Sequence, residues 1–309
     1  MRHLKWLLLV AVFTVRPAIA ADDFEPLPPP VARVVKKAAP VVPQFANLQY
    51  GDGTNTANLL DIYLPEKFEN PVPLVVWIHG GGWAQGDKSP APQFMQLLSR
   101  GFAVASINYR LSGEAPFPAQ IYDCKGAIRY LRAHAKEFQI DPNRIGIWGH
   151  SAGGHLVALL GTSAGVKELE GNVGGNLNVS SRVQAVSDYA GPTDLGQIYA
   201  QGADDPSFMN NTVLRGYFEH FLGGGPVETH PDLIRQANPI THLTSNTPPF
   251  QIIHGNKDAL VPVGQSQLLA DALAAKGLEC ELTIVEGYGH GFGQKQYLAT
   301  YAFFEKRLK

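Results

Sequence analysis

From about residue 45 onward, short apolar runs alternate with stretches in which apolar side chains recur every three or four positions. The runs at 45–50, 58–64, 74–78, 102–107, 144–148, 183–189, 250–254 and 281–285 read as strands, and the turn Gly51-Asp52-Gly53 separates the first two. The run at 74–78 is apolar at every position, the pattern of a strand covered on both faces. Residues 118–138 follow a helical period, with Ile121, Ala127, Ile128 and Leu131 on one side. Residues 151–160, 263–276 and 295–308 read as further helices. Such alternation predicts an α/β fold: a mostly parallel, eight-stranded sheet with helices on both faces. The stretch at about 192–246 exceeds what one crossover needs and carries Tyr199, Phe208, Met209, Tyr217, Phe218 and Phe221. It reads as an insertion over the C-terminal edge of the sheet, or equally as a surface excursion whose aromatics pack a small core of their own. No repeat of solenoid period is present.

The N-terminus breaks this pattern. Arg2, His3 and Lys5 precede an apolar run at 6–15, and Ala18-Ile19-Ala20 follows as a small-x-small site. This predicts a secretory signal peptide over 1–20, too short to span a bilayer. The expected location is then secreted or periplasmic, with no stable membrane span after processing. No cysteine follows the cleavage site, which argues against a lipid anchor there. Residues 21–44 are rich in Pro, Ala and Val and read as an extended arm before a single domain at 45–309.

Composition narrows the classes. Of 309 residues, 45% are hydrophobic and 17% charged, as a packed globular core requires. The formal net charge is -2 and no Lys/Arg run exceeds a pair, so no nucleic-acid partner is expected. Two cysteines, Cys124 and Cys280, are too few for a disulfide framework and read as two buried thiols. An oxidising compartment would permit one bond if the fold brought them together.

The chemistry lies in loops after strands. Gly149-His150-Ser151-Ala152-Gly153 follows the strand at 144–148 and opens a helix, the setting in which G-x-S-x-G presents a serine hydroxyl at the tip of a sharp turn. His79-Gly80-Gly81-Gly82-Trp83 follows the strand at 74–78. A serine attacking a carbonyl creates an oxyanion, which needs main-chain N–H groups already in place. A triple glycine lets the backbone come close to the substrate. Gly81, Gly82 and Ala152 are therefore the expected donors, and Ser151 the expected nucleophile. A flexible glycine turn would give the same letters as this loop. His79 reads as a hydrogen bonder that fixes the loop.

The serine needs a base and the base an orienting acid, in the chain order Ser, Asp/Glu, His for a turn of this kind. Asp258 follows the strand at 250–254 and His290 the strand at 281–285, both where open α/β sheets place their sites. They are the expected acid and base. His150, His155 and His254 compete as base; Asp188 and Asp194 compete as acid. Asp123, on a helix, reads as structural. Trp83 and the insertion aromatics are candidates for a pocket wall.

Taken together, HGGGW, GHSAGG, SDYAGPTDL, HGNKDALVP and GYGHGF resemble the α/β-hydrolase serine esterases. They are most similar to the acetyl-esterase and feruloyl-esterase-like (BD-FAE-like) group related to the hormone-sensitive-lipase branch. The resemblance covers about 45–309. It implies carboxylic-ester hydrolysis without metal or cofactor, a triad of Ser151, Asp258 and His290, and an oxyanion hole from Gly81, Gly82 and Ala152. The hormone-sensitive-lipase branch carries a longer N-terminal cap; here only the arm and the insertion are available to cover the site. The expected substrate is a small-molecule or polysaccharide-linked ester with a short-chain, acetyl or hydroxycinnamoyl acyl group. Oligomeric state is not readable. A serine peptidase or a formamidase shares these parts, although the propeller or large extra domain usual in such peptidases has no room in 309 residues. A non-catalytic binding module is a third alternative.

Overall fold

The computed structural model describes residues 41–53, 55–68 and 71–309. The expected signal peptide and nearly all of the Pro-rich arm lie outside the described residues. Among the described residues, no helix is long and apolar enough to cross a membrane.

Eight strands form one sheet: β1 (Phe45–Gln49), β2 (Leu59–Tyr63), β3 (Val72–Ile78), β4 (Ala103–Ile107), β5 (Ile140–His150), β6 (Ala185–Tyr189), β7 (Phe250–Gly255) and β8 (Cys280–Val285). Their order is β1-β2-β4-β3-β5-β6-β7-β8. β2 runs antiparallel to both β1 and β4, and every other pairing is parallel. The main helices are α1 (Ala119–Ala133), α2 (Ala152–Thr162), α3 (Thr212–Phe221), α4 (Gly264–Ala275) and α5 (Gln294–Leu308).

β3 shows why its run is apolar throughout. Leu74, Val76 and Ile78 join one core with Ile121 and Leu131 of α1, Leu156 and Leu160 of α2 and Leu269 of α4. Val75 and Trp77 join a second core with Trp148 and with Tyr301, Phe304 and Leu308 of α5. Alternate side chains of one strand thus fill opposite faces. From β3 the chain moves to β4 on one side and then to β5 on the other, so the strand order reverses at β3/β5. Ile78 pairs with Gly149 at the C-terminal end of that seam. A crevice outside the strand ends at such a switch point is where open α/β sheets bind ligands.

Two elements differ from the sequence pattern. β5 begins at Ile140, earlier than the apolar run, because Val72 of β3 pairs with Ile140 across a register shift. The intervening Asp141-Pro142-Asn143 hides that extension. α1 ends at Ala133, and Phe138 is buried from the irregular turn that follows.

Between β6 and β7 the chain makes short helices, at Ile198–Gln201, Pro206–Met209 and Pro231–Ala237, around the longer α3. Its Phe208, Phe218, Phe221, Leu222 and Val227 belong to the main core rather than to a separate one. Cys124 in α1 and Cys280 at the start of β8 are both free thiols.

Candidate active site

Ser151 sits between the last residue of β5 and the first of α2, with φ 60 and ψ -124. A non-glycine residue there stores roughly 1–3 kcal/mol of strain and persists only where its surroundings enforce it. The surroundings are visible. A Cβ on Gly149 would fall 2.2 Å from the carbonyl oxygen of Gly153, and one on Gly153 would fall 2.1 Å from that of Ile78. Strand, turn and helix therefore touch backbone to backbone. The Ser151 N–H donates to the Tyr189 carbonyl on β6 at 2.8 Å, pinning the turn to the neighbouring strand.

The glycine loop after β3 lies against this turn. A Cβ on Gly80 would stand 2.7 Å from the His150 carbonyl oxygen and 3.3 Å from Ser151 Cβ. Gly81, Gly82 and Trp83 all have positive φ, at 107, 60 and 56. The N–H groups of Ala84 and Gln85 both donate to the Gly81 carbonyl, closing a tight turn. Those of Gly81, Gly82 and Ala152 hydrogen-bond to no described residue. His79 fixes the loop: its Nδ1 donates to the Gly80 carbonyl at 2.8 Å, and its ring stacks on Tyr109, whose hydroxyl donates to the His79 carbonyl.

The loops after β7 and β8 bring Asp258 and His290 together. His290 Nδ1 donates to Asp258 Oδ2 at 2.6 Å. Asp258 Oδ1 accepts the N–H groups of Leu260 and Val261. The carboxylate is fully buried, and Nε2 of His254 stands 3.1 Å from Oδ2. Burial alone would raise the Asp258 pKa. Hydrogen bonds from His254 and His290 outweigh it and hold the carboxyl well below the usual range, so it stays ionised.

The competing residues have other partners. His155, fully buried, donates from Nε2 to the Ala237 carbonyl, and burial lowers its pKa to about 4. His254 donates to the Val261 carbonyl and contacts Ser266 with its other nitrogen. His150 donates from Nε2 to the main-chain carbonyl of His290 at 2.8 Å; burial and the nearby His290 lower its pKa to about 4. Asp188 accepts the Gly191 N–H, and burial raises its pKa to about 6. Asp194 binds the Gly196 N–H and the Gln197 amide. Asp123 forms a forked pair with Arg110.

Ser151 and His290 face one cavity of about 320 Å³, together with Gly81, Gly82, Ala152 and His150. Trp83 closes it from below: the residue is only 1% exposed, and its ring stacks on Phe221 at 4.2 Å. It is more a floor of the core than a free wall. Several lining residues were not expected from the sequence: Gln85, Pro192, Asn211, Val213, Leu214, Leu260 and Val261. Four of the lining side chains, Val213, Leu214, Tyr217 and Phe218, come from α3. Their spacing of three and four is the apolar stripe of an amphipathic helix, the signal that identifies a wall here. The Tyr217 ring lies 2.4 Å from where a Cβ on Gly82 would be, so the loop and the insertion fit only because residue 82 has no side chain.

Among the described residues, no group of three or more His, Cys, Asp or Glu is set to hold a metal ion. A hydroxyl on a strained turn, an imidazole oriented by an ionised carboxylate and unpaired main-chain N–H groups in one crevice can support nucleophilic attack on a carbonyl with a bound oxyanion.

Comparisons with known proteins point the same way. The BD-FAE family model matches residues 60–273. Esterase LipC of Mycobacterium tuberculosis is 31% identical over 298 residues, which span 92% of this chain and 69% of LipC. The chain spans about half to two thirds of the length of such curated relatives. Among solved structures, a truncated carbohydrate esterase from gut microbiota superposes with a TM-score of 0.77 at 33% identity, covering 85% of this chain and 95% of that one. An acetyl ester-xyloside bifunctional hydrolase from Caldicellulosiruptor lactoaceticus does so with a TM-score of 0.70 at 26% identity, covering 87% and 98%.

Proposed function

Because this chain belongs to the BD-FAE family and is a carboxylic-ester hydrolase of the α/β-hydrolase fold, we propose that it acts through an acyl-enzyme on Ser151 and removes small acyl groups from sugar-bearing alcohols. The observation that carries this reading is the shared cavity: Ser151, the His290–Asp258 pair and the loop of Gly81 and Gly82 meet around it.

The Ser151 oxygen attacks the ester carbonyl carbon while His290 Nε2 takes the hydroxyl proton. The Asp258 carboxylate holds His290 by Nδ1 and stabilises the imidazolium. The carbonyl oxygen, now negative, is met by the N–H groups of Gly81, Gly82 and Ala152. The C–O bond to the alcohol breaks as His290 returns the proton to the leaving oxygen. Water then attacks the acyl-enzyme with His290 again as base, freeing the carboxylic acid and Ser151.

The substrate class rests on four supports. The cavity is at the small end of ligand pockets, roughly 300–1,000 Å³, which suits a small ester. Its walls are mainly apolar, from Trp83, Leu214, Phe218 and Val261. Two similar structures are those of a carbohydrate esterase and of an acetyl ester-xyloside bifunctional hydrolase. Export, from the pattern of residues 1–20, would put the enzyme where plant polysaccharide esters lie. A panel of p-nitrophenyl esters from acetyl to octanoyl, with a feruloyl ester and acetylated xylan, tests this. Turnover should be highest for acetyl to butyryl or feruloyl, with acetate or ferulate released from the polymer. A maximum at octanoyl, or no release from any polymer, would remove the sugar-ester assignment.

A further inference from the structure

The cavity has two ends of different character. Its closed end is formed by Trp83, Ala152 and Phe218, all almost fully buried. Its mouth is formed by Gln85, Val213 and Leu260, all exposed. An alcohol attached to a polymer cannot enter a closed end, so the acyl half of the ester takes the apolar end and the alcohol half stays at the mouth.

At the mouth one polar side chain is set in place by another. Gln85, on the glycine loop, donates from Nε2 to the hydroxyl oxygen of Tyr217, on α3, at 3.1 Å. The Tyr217 oxygen is thus an acceptor in that bond and keeps its own proton to give. The Tyr217 ring packs against Gly82, so the hydroxyl has a fixed place beside the loop that meets the oxyanion. The neighbouring rim residues Val213 and Leu260 are apolar and offer no hydrogen bond. Asn211 caps α3 with its side-chain oxygen, which accepts the Leu214 N–H, and keeps its amide N–H donors at the start of that helix.

We propose that the Tyr217 hydroxyl, oriented by Gln85, donates a hydrogen bond to the alcohol half of the ester and so selects alcohols that carry an acceptor oxygen near the ester, as a sugar does. This rests on the esterase reading above and adds a specificity-determining residue to it. A site built to pair with a substrate oxygen discriminates against the analogue that lacks it, because the donor is then left without a partner.

The test compares acetylated xylobiose with cyclohexyl acetate, whose ring is similar but has no other oxygen. In Tyr217→Phe, which keeps the ring over Gly82, the ratio of kcat/KM for the sugar ester to that for cyclohexyl acetate should fall about five- to tenfold, the range expected for one lost neutral hydrogen bond. In Gln85→Leu, which frees the hydroxyl to rotate, the ratio should fall by roughly twofold. An unchanged or increased ratio in Tyr217→Phe overturns the proposal. Wild-type turnover of p-nitrophenyl acetate reads the esterase assignment separately. If that ester is cleaved and the ratio does not move, only the role of Tyr217 falls; if it is not cleaved, both fall.

Discussion

His150 Nε2 donates to the main-chain carbonyl of His290 at 2.8 Å, so the residue before the serine holds the backbone of the histidine that faces it. The two rings lie 4.7 Å apart, and Phe292 packs edge-on against His150. The turn at 151 and the loop at 290 come from strands separated by β6 and β7, and this hydrogen bond ties them across that gap. His150→Phe keeps the packing and removes the tie. The expected result is a fall in kcat of roughly five- to tenfold, as one hydrogen bond of about 1 kcal/mol predicts. KM for p-nitrophenyl acetate should stay within about twofold, since the bond acts on the base and not on the ester. An unaltered kcat in steady-state assays would show that the loop holds its place without His150.

Ser151→Ala should remain folded and lose ester turnover to background, and an organophosphonate that labels the native protein should not label it. Retention of most of the activity would end the assignment of the nucleophile. Ser151→Gly, equally without a hydroxyl, reports on the strain. Glycine adopts φ 60 and ψ -124 freely but costs about 0.5–1 kcal/mol in the unfolded chain, against roughly 1–3 kcal/mol of strain relieved. The glycine variant should therefore melt about 2 °C above the alanine variant. A lower melting temperature for glycine would mean that the turn is not strained.

Asp258→Asn should lower kcat by about 10³–10⁴, because an amide can present N–H to His290 Nδ1 and select the wrong tautomer. Asp194→Asn should change kcat by no more than about twofold, since the Asp194 carboxylate binds the Gly196 N–H and the Gln197 amide within its own turn. If Asp194→Asn showed the larger loss, the acid would have to be reassigned.

Stability should fall as the solution is acidified from pH 7 to pH 5. His155 and His150 are held at about 4 by burial, whereas an imidazole in the unfolded chain titrates near ~6.5. Between those values the unfolded chain binds protons that the folded chain refuses, so stability drops as pH falls through that window. Burial lowers the His79 and His242 pKa values as well, with the same sign. Asp188 works in the opposite sense: burial raises it to about 6, so the folded chain gains relative stability as pH falls from about 6 toward ~3.9. Burial raises the Asp123 carboxyl as well, with the same sign as Asp188; four imidazoles outweigh the two carboxyls, and above pH 6 the imidazoles dominate. Asp258 adds a loss confined to lower pH, below about 4, where an unfolded carboxylate takes up its proton. Differential scanning fluorimetry from pH 7 to pH 5 should show a falling melting temperature; a flat or rising one would contradict this balance.

The sequence by itself determined the class of fold and the inventory of reactive groups. Apolar runs and helical periods are local properties, so β3, β6 and β7 and the helices α2 and α5 could be read from neighbouring residues alone. The crowding at Gly149, against the Gly153 carbonyl, is local too, and the letters around Ser151 record it; that at Gly153 is against Ile78 of β3 and is not local. Tertiary structure decided what is non-local. Asp258 and His290 stand 32 positions apart; motif order pointed to this pair but left Asp188 and Asp194 as rival acids, and the 2.6 Å contact exists because β7 and β8 are neighbours in the sheet. The same holds for Tyr217, which looked like any insertion aromatic until its ring was found where Gly82 lacks a side chain. Trp83, read as a pocket wall, became largely a core residue because Phe221 from the insertion stacks on it. Periodicity reports which face of an element is covered; it does not report by what, and that is settled only when distant segments compete for the same surface.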